Sequence, residues 1–262
     1  GQPAEVDAAG TSGSIADRFL TELVAPFNRD VMGMSFGKPV EYIYNPLEYA
    51  SEPHDDYIRK YCNSTKHILF LGMNPGPFGM AQNGVPFGEH DSVVNFLGIE
   101  GKVGKPAREH PKRPIVGLDF KRKEVSGSRF WGLWKSLCGT PDAFFRHAFV
   151  YNHCGLVFMT ETGKNVTPAE MRAGERRELV ALCDAFVCRM VRLLDAKVVV
   201  GVGRFAEDRA RKALAEGGVE GVRVVTIMHP SPINPAANKG WQEAVIKQLE
   251  DLDLLKYFQE EA

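Results

Sequence analysis

His67-Ile68-Leu69-Phe70-Leu71-Gly72-Met73 runs straight into Asn74-Pro75-Gly76-Pro77. A short apolar run halted by a Pro-Gly-Pro turn, with no alternating polar face, suits a parallel strand covered on both sides. Three more such runs occur later in the chain, at residues 147–151, 196–202 and 223–228. Between and around them lie stretches whose apolar residues recur at helical spacing: 15–27, 129–137, 177–194, 206–214 and 241–254. Strands alternating with helices predict an α/β fold, a three-layer sandwich with a central, mainly parallel four-stranded sheet flanked by helices.

One domain is expected over residues 14–258. It is preceded by a Gly-, Ala- and Ser-rich lead at 1–13, expected to be disordered, and ends in a short tail at 259–262.

The strand ends carry the most information. The first run exits into Asn74-Pro75-Gly76-Pro77 and the second into Asn152-His153. The third leads into Gly203-Arg204 and the fourth into His229-Pro230-Ser231-Pro232. Ligands of open parallel sheets bind outside the carboxyl ends of the strands, so these four loops are expected to build one pocket. Its polar groups would be the amides of Asn74 and Asn152 and the imidazole of His229.

Composition narrows the chemistry. Hydrophobic residues make up 44% of the chain and charged residues 25%, which is ordinary for a globular protein. Thirty-two basic against 33 acidic residues give a net charge of −1, so any affinity for a polyanion must come from a local patch. Residues 102–123 offer one, with Lys102, Lys105, Arg108, Lys112, Arg113, Lys121, Arg122 and Lys123 against Glu109 and Asp119. A solvated surface loop is the plainer account of the same charges.

The five cysteines form no CxxC pair and argue against both a disulfide framework and a cysteine-ligated metal or iron-sulfur site. No apolar run is long enough to cross a bilayer. An intracellular protein is expected.

There is no Gly-x-Ser-x-Gly elbow, no Walker loop and no pair of acids behind the strands. Gly201-Val202-Gly203 invites a dinucleotide reading, but Ala206 stands at the third glycine position, and a tight strand-to-helix turn is the better account.

Three blocks are more specific: Gly72-Met73-Asn74-Pro75-Gly76-Pro77-Phe78-Gly79-Met80-Ala81-Gln82; Gly84-Val85-Pro86-Phe87-Gly88-Glu89; and His229-Pro230-Ser231-Pro232 with Asn234-Pro235 and Ala237-Asn238-Lys239-Gly240-Trp241. With Glu124-Val125-Ser126-Gly127 and Gly163-Lys164-Asn165, they closely resemble the single-strand-selective monofunctional branch of the uracil-DNA glycosylase superfamily, over roughly residues 40–250. The resemblance implies a base-excision repair enzyme that works as a monomer with no metal or cofactor, in the nucleus if eukaryotic and otherwise in the cytoplasm. It would flip uracil, or a 5-substituted uracil such as 5-hydroxymethyluracil, out of single- or double-stranded DNA and hydrolyse its N-glycosidic bond.

It also implies roles for single residues. Phe87 matches the ring that stacks on the extruded base, the backbone at Met73 would meet the base edge, and Asn152 matches the amide that reads it. Asn74 matches the residue that positions water, and His229 the donor to uracil O2. Gly76 would leave room beside the base's C5.

The DNA wedge would be Pro230, Ser231, Pro232, Ile233, Asn234, Pro235, Asn238 and Lys239, and a second DNA segment, 162–176, would supply Lys164, Asn165, Arg172 and Arg176. Ile233 departs from the arginine usual in vertebrate members, so the wedge here would be apolar. Asn83 and Gly155 depart too, which bears on substrate preference. Two rivals stand beside this reading: a mismatch-directed uracil/thymine glycosylase of the same superfamily, and a damaged-DNA-binding module that does not cut.

Overall fold

A computed structural model describes residues 13–259. The expected lead and tail therefore fall, apart from Gly13 and Gln259, outside the described residues.

Among the described residues six strands form: β1 (Tyr42–Tyr44), β2 (Ile68–Gly72), β3 (Ala148–Asn152), β4 (Val157–Met159), β5 (Val198–Val202) and β6 (Arg223–Ile227). The central sheet has the order β3-β2-β5-β6 and every pairing in it is parallel. Residues of β2, β3 and β5 are buried throughout, as expected for strands covered on both faces.

The helices fall close to their expected places, at Val125–Cys138, Ala173–Leu194, Arg204–Glu216 and Trp241–Asp251. One connected core joins residues from Ala16 to Phe258. At its centre Phe70 of β2 meets Phe130, Trp134, Phe144 and Phe258.

Two features differ from expectation. The first helical segment extends from Ile15 to Met32, and its middle turn, Phe19–Val24, winds wider than an α-helix, with Ala25 N–H donating to Leu20 O. Pro26 comes next and has no N–H to offer, so the regular ladder cannot run through this point. The second is a small antiparallel pair, β1 with β4, that lies outside the four-stranded sheet.

Register sets the site. Gly72 pairs with Asn152, Leu71 with Gly201, and Val202 with Ile227, so all four strands end at one rim. Behind the third strand, a Cβ at Gly201 would stand 2.3 Å from the Glu207 nitrogen. Its glycine is thus required by close packing of strand and helix, which accounts for the Gly-Val-Gly sequence without a dinucleotide.

Candidate active site

A cavity of about 170 Å³ opens at that rim, lined by residues that include Met73, Asn74, Gly76, Phe87, Asn152 and His229. All six pocket residues expected from the sequence therefore meet in one place. The space is below the roughly 300–1,000 Å³ of sites for drug-sized ligands, a scale suited to a single base rather than a dinucleotide.

Asn152 ends β3 and is only 4% exposed. Its Nδ2 donates to the Met80 sulfur at 3.2 Å. A thioether accepts but does not donate, so this contact holds the amide with nitrogen toward Met80. Opposite it, a Cβ at Gly72 would lie 2.4 Å from Asn152 Oδ1 and 3.1 Å from the Phe87 ring. Glycine at the end of β2 is thus what lets both side chains enter.

Phe87 is half-buried, its ring stacked on Phe130 at 4.4 Å between centroids and 6.5 Å from the His229 ring. Its φ of 54° lies in the left-handed region, a conformation that costs a bulky residue about 1–3 kcal/mol unless its surroundings enforce it. The surroundings do so. Asn83 Nδ2 donates to Gly88 O at 2.8 Å, Val85 N–H donates to Asn83 Oδ1 at 3.0 Å, and Trp131 Nε1 donates to Pro86 O at 3.1 Å. Asn83, one of the departures from the family pattern, is a brace for this loop. At Gly155, another departure, a Cβ would stand 2.9 Å from Leu47 Cδ1.

His229 stands at the mouth and is exposed as a residue, yet the protein packed around its ring disfavours the charged form and lowers its pKa below 6.5. Ser231 N–H donates to Nδ1 at 3.0 Å. With Nδ1 accepting, the neutral ring carries its proton on Nε2, which makes it a fixed hydrogen-bond donor.

Nothing in the sequence alone points to a role for Gly72, Gly79, Met80, Glu124 or Ser126, although the last four line the cavity. All belong to the glycine-rich and Glu-Val-Ser-Gly motifs, but only tertiary contact reveals what they do. Glu124 supplies a carboxylate there. Its oxygens accept from Ser126 N–H at 3.0 Å and Gly127 N–H at 2.6 Å, so it caps the helix Val125–Cys138.

At Gly76 an added Cβ would meet nothing within 4 Å, so this side of the cavity is open.

The expected wedge is a braced loop beside the mouth. Arg129 donates to Pro230 O at 2.8 Å and to Asn238 Oδ1 at 2.9 Å, and Asn238 Nδ2 donates to Pro232 O at 2.8 Å. Ser231 Oγ accepts from Ile233 N–H, and Asn234 Oδ1 from Ala236 N–H. Pro230 is buried, Pro232, Pro235 and Lys239 are exposed, and Ile233 is 89% exposed.

Lys164, Asn165, Arg172 and Arg176 do not line the cavity. Lys164 and Asn165 are exposed beyond β4, and the Arg172 guanidinium lies against Gly37, where a Cβ would be 2.5 Å from its Cζ.

In the basic stretch 102–123, Arg108 pairs with Glu41 and Lys105 with Glu109. Lys112, Lys121, Arg122 and Lys123 face outward, with Arg122 lying 3.8 Å over the Phe78 ring. Gln82 ties this stretch to the cavity wall, accepting from Val116 and Gly117 and donating to Pro114 O.

Known proteins bear on this geometry. The model of the uracil DNA glycosylase superfamily matches residues 59–253. A single-strand selective monofunctional uracil-DNA glycosylase of Rattus norvegicus is 50% identical over 99% of the chain and 93% of its own length. The protein of that name from Mus musculus is 51% identical over 95% of the chain and 88% of its own length. The crystal structure of Pedobacter heparinus SMUG2 shares the fold with a TM-score of 0.67, at 20% identity over 93% of this chain and 98% of that one. By its sequence, this chain belongs to the uracil-DNA glycosylase superfamily, in its single-strand-selective monofunctional branch.

Proposed function

We propose that this chain is a monofunctional uracil-DNA glycosylase of base-excision repair that takes one extruded uracil into the cavity, hydrolyses its N-glycosidic bond and leaves an abasic site. The observation that carries the reading is the convergence of an oriented amide, a braced aromatic ring and a neutral imidazole of fixed tautomer in one base-sized cavity.

Uracil stacks on the face of Phe87, which is worth about 1–3 kcal/mol for base–aromatic contacts. Uracil N3–H donates to Asn152 Oδ1, and the Nδ2 hydrogen not directed at Met80 donates to O4. Cytosine reverses both polarities. Turning the amide to suit cytosine would set its oxygen against the Met80 sulfur, acceptor against acceptor. The Met73 carbonyl already accepts from Cys154 N–H at 2.8 Å, which leaves its N–H to meet the base edge.

As the C1′–N1 bond breaks, its electron pair passes into the uracil ring and spreads to O2, while positive charge grows on the sugar. Nε2–H of His229 donates to O2 most strongly when that negative charge has developed, so the contact lowers the barrier rather than merely binding substrate. Asn74 cannot take a proton at neutral pH. Its amide holds a water whose oxygen bonds to C1′, and the water's proton passes to solvent. No lysine nucleophile is used, so the strand is not cut.

The open side at Gly76 accommodates 5-substituted uracils such as 5-hydroxymethyluracil. DNA, single- or double-stranded, lies across the mouth with Ile233 entering the vacated position. Lys164, Asn165, Arg172, Arg176, Lys239 and the basic stretch meet the backbone. The enzyme acts as a monomer, in the nucleus if its source is eukaryotic, as that of its relatives is, and otherwise in the cytoplasm.

The test is incubation with oligonucleotides carrying uracil, 5-hydroxymethyluracil or thymine. Free uracil and free 5-hydroxymethyluracil are expected, with an abasic but unbroken strand and thymine retained. Tight binding with no base released sinks the enzymatic reading, and release of thymine favours the mismatch-directed rival.

A further inference from the structure

The helix Arg204–Glu216 buries Ala206, Ala210, Ala213 and Leu214, a stripe at helical spacing. Phe205 lies off that stripe, on the side of the helix that carries Asp208 and Lys212, and is 85% exposed. The fold therefore gains no burial from it. Phe205 and Ile233 are the two most exposed large apolar side chains among the described residues; Phe205 lies in the first turn of the helix that follows β5 and Ile233 in the loop that follows β6, and these two strands are neighbours in the sheet. Gly203, two residues before Phe205, packs on His229, where an added Cβ would be 3.2 Å from the His229 Cβ. Ile233 is the expected wedge. Phe205 has no assigned role.

We infer that Phe205 is a stacking surface for an unpaired nucleobase of the same DNA strand, next to the one held in the cavity. This rests on the glycosylase reading of that cavity. A single aromatic ring matches the size of one base, and base–aromatic stacking tolerates any sequence because every base has a π face. Arg204 immediately precedes it and is exposed, so a guanidinium is available on the same turn for a phosphate of the strand. A protein partner would call for a contiguous apolar patch of several residues, whereas the polar residues nearest to it along the helix are Arg204, Glu207 and Asp208, with Glu207 paired to Arg211 at 3.1 Å. Single-stranded DNA offers unpaired bases without the cost of opening a duplex, so this contact would contribute more there than in double-stranded DNA.

The experiment measures KM and kcat for uracil release from a single-stranded oligonucleotide with uracil at its centre. In two further oligonucleotides the base on one side or the other of uracil is replaced by an abasic spacer. For the unaltered protein, loss of the base on one side should raise KM by about five-fold to a hundred-fold. Phe205→Ala should raise KM by a similar factor with kcat held, and that same spacer should then cost little more. Phe205→Tyr should restore the wild-type response, and Phe205→Leu, apolar but without a π face, should not.

Because the side chain is exposed, unfolding temperatures should match. Equal sensitivity to the spacer in wild type and Phe205→Ala overturns the proposal. So does rescue by leucine, which would point to a general apolar contact, or a fall in kcat at unchanged KM, which would mean the ring acts through His229. If the unaltered protein releases no uracil from any strand, the glycosylase reading falls and takes this proposal with it.

Discussion

His229 couples geometry to pH. The burial that lowers its pKa favours the neutral ring, and the Ser231 N–H bond to Nδ1 can exist only while that nitrogen is unprotonated. A lowered pKa extends the neutral form to more acid solution. Single-turnover excision should therefore be level through neutral pH and decline on an acid limb whose midpoint lies below 6.5. A limb at or above that value would show that the neutral donor has been misassigned. His229→Leu should bind uracil-containing DNA nearly as well as the unaltered protein, yet excise about a hundred- to a thousand-fold more slowly, the usual cost of losing one donor to developing negative charge.

Met80 makes a subtler contribution, because its sulfur orients an amide rather than touching the reacting bond. Met80→Leu keeps the volume and removes the acceptor. Preference for uracil over cytosine should fall by up to about tenfold, in keeping with one modest hydrogen bond. An unchanged ratio in competition assays would mean that other contacts fix the amide.

At the scale of elements, the loop after β6 is held from outside by Arg129, whose guanidinium bonds two of its points. An insertion loop must arrive at a duplex already shaped, since ordering it on contact subtracts from binding. Arg129→Ala should raise KM for uracil in duplex DNA by about tenfold, the scale of a charge-assisted hydrogen bond, and change single-stranded substrate less. Equal losses of kcat on both substrates would refute a bracing role.

The sequence made this layout readable because four short, mainly apolar runs end in amides, imidazole and glycine-proline turns, and a parallel sheet delivers strand ends to one rim. Other elements were hidden for physical reasons. The helix Ser51–Tyr61 reads as a charged stretch, because its buried face is made of Pro53, His54, Tyr57, Ile58 and Tyr61, and His54 and Tyr57 reach the core by hydrogen bonds to Tyr151 Oη and Val150 O. β1 is three residues long and has meaning only beside β4. The service of Gly72 to the site depends on where Phe87 and Asn152 lie, which no local pattern records.

For the molecule as a whole, a net charge of −1 means that DNA is not drawn by a uniform field. Attraction must come from cations grouped on the face around the mouth, and within 102–123 two of them are already matched, Arg108 by Glu41 and Lys105 by Glu109. Lys121, Arg122 and Lys123 face outward just before Glu124 of the cavity wall. Each phosphate neutralised on a single strand contributes about −0.7 to the slope of log K against log salt. Replacing all three by glutamine should make that slope shallower by about 2 and weaken binding at low salt much more than at high salt. Excision of uracil already bound should continue at its former rate, since none of the three lines the cavity. The measurement is a salt titration of binding to a single-stranded oligonucleotide, run beside single-turnover excision at saturating protein. A slope that stays where it was would assign these charges to the solvated loop that the sequence alone also allowed, and would move the search for backbone contacts to Lys164, Arg172 and Arg176.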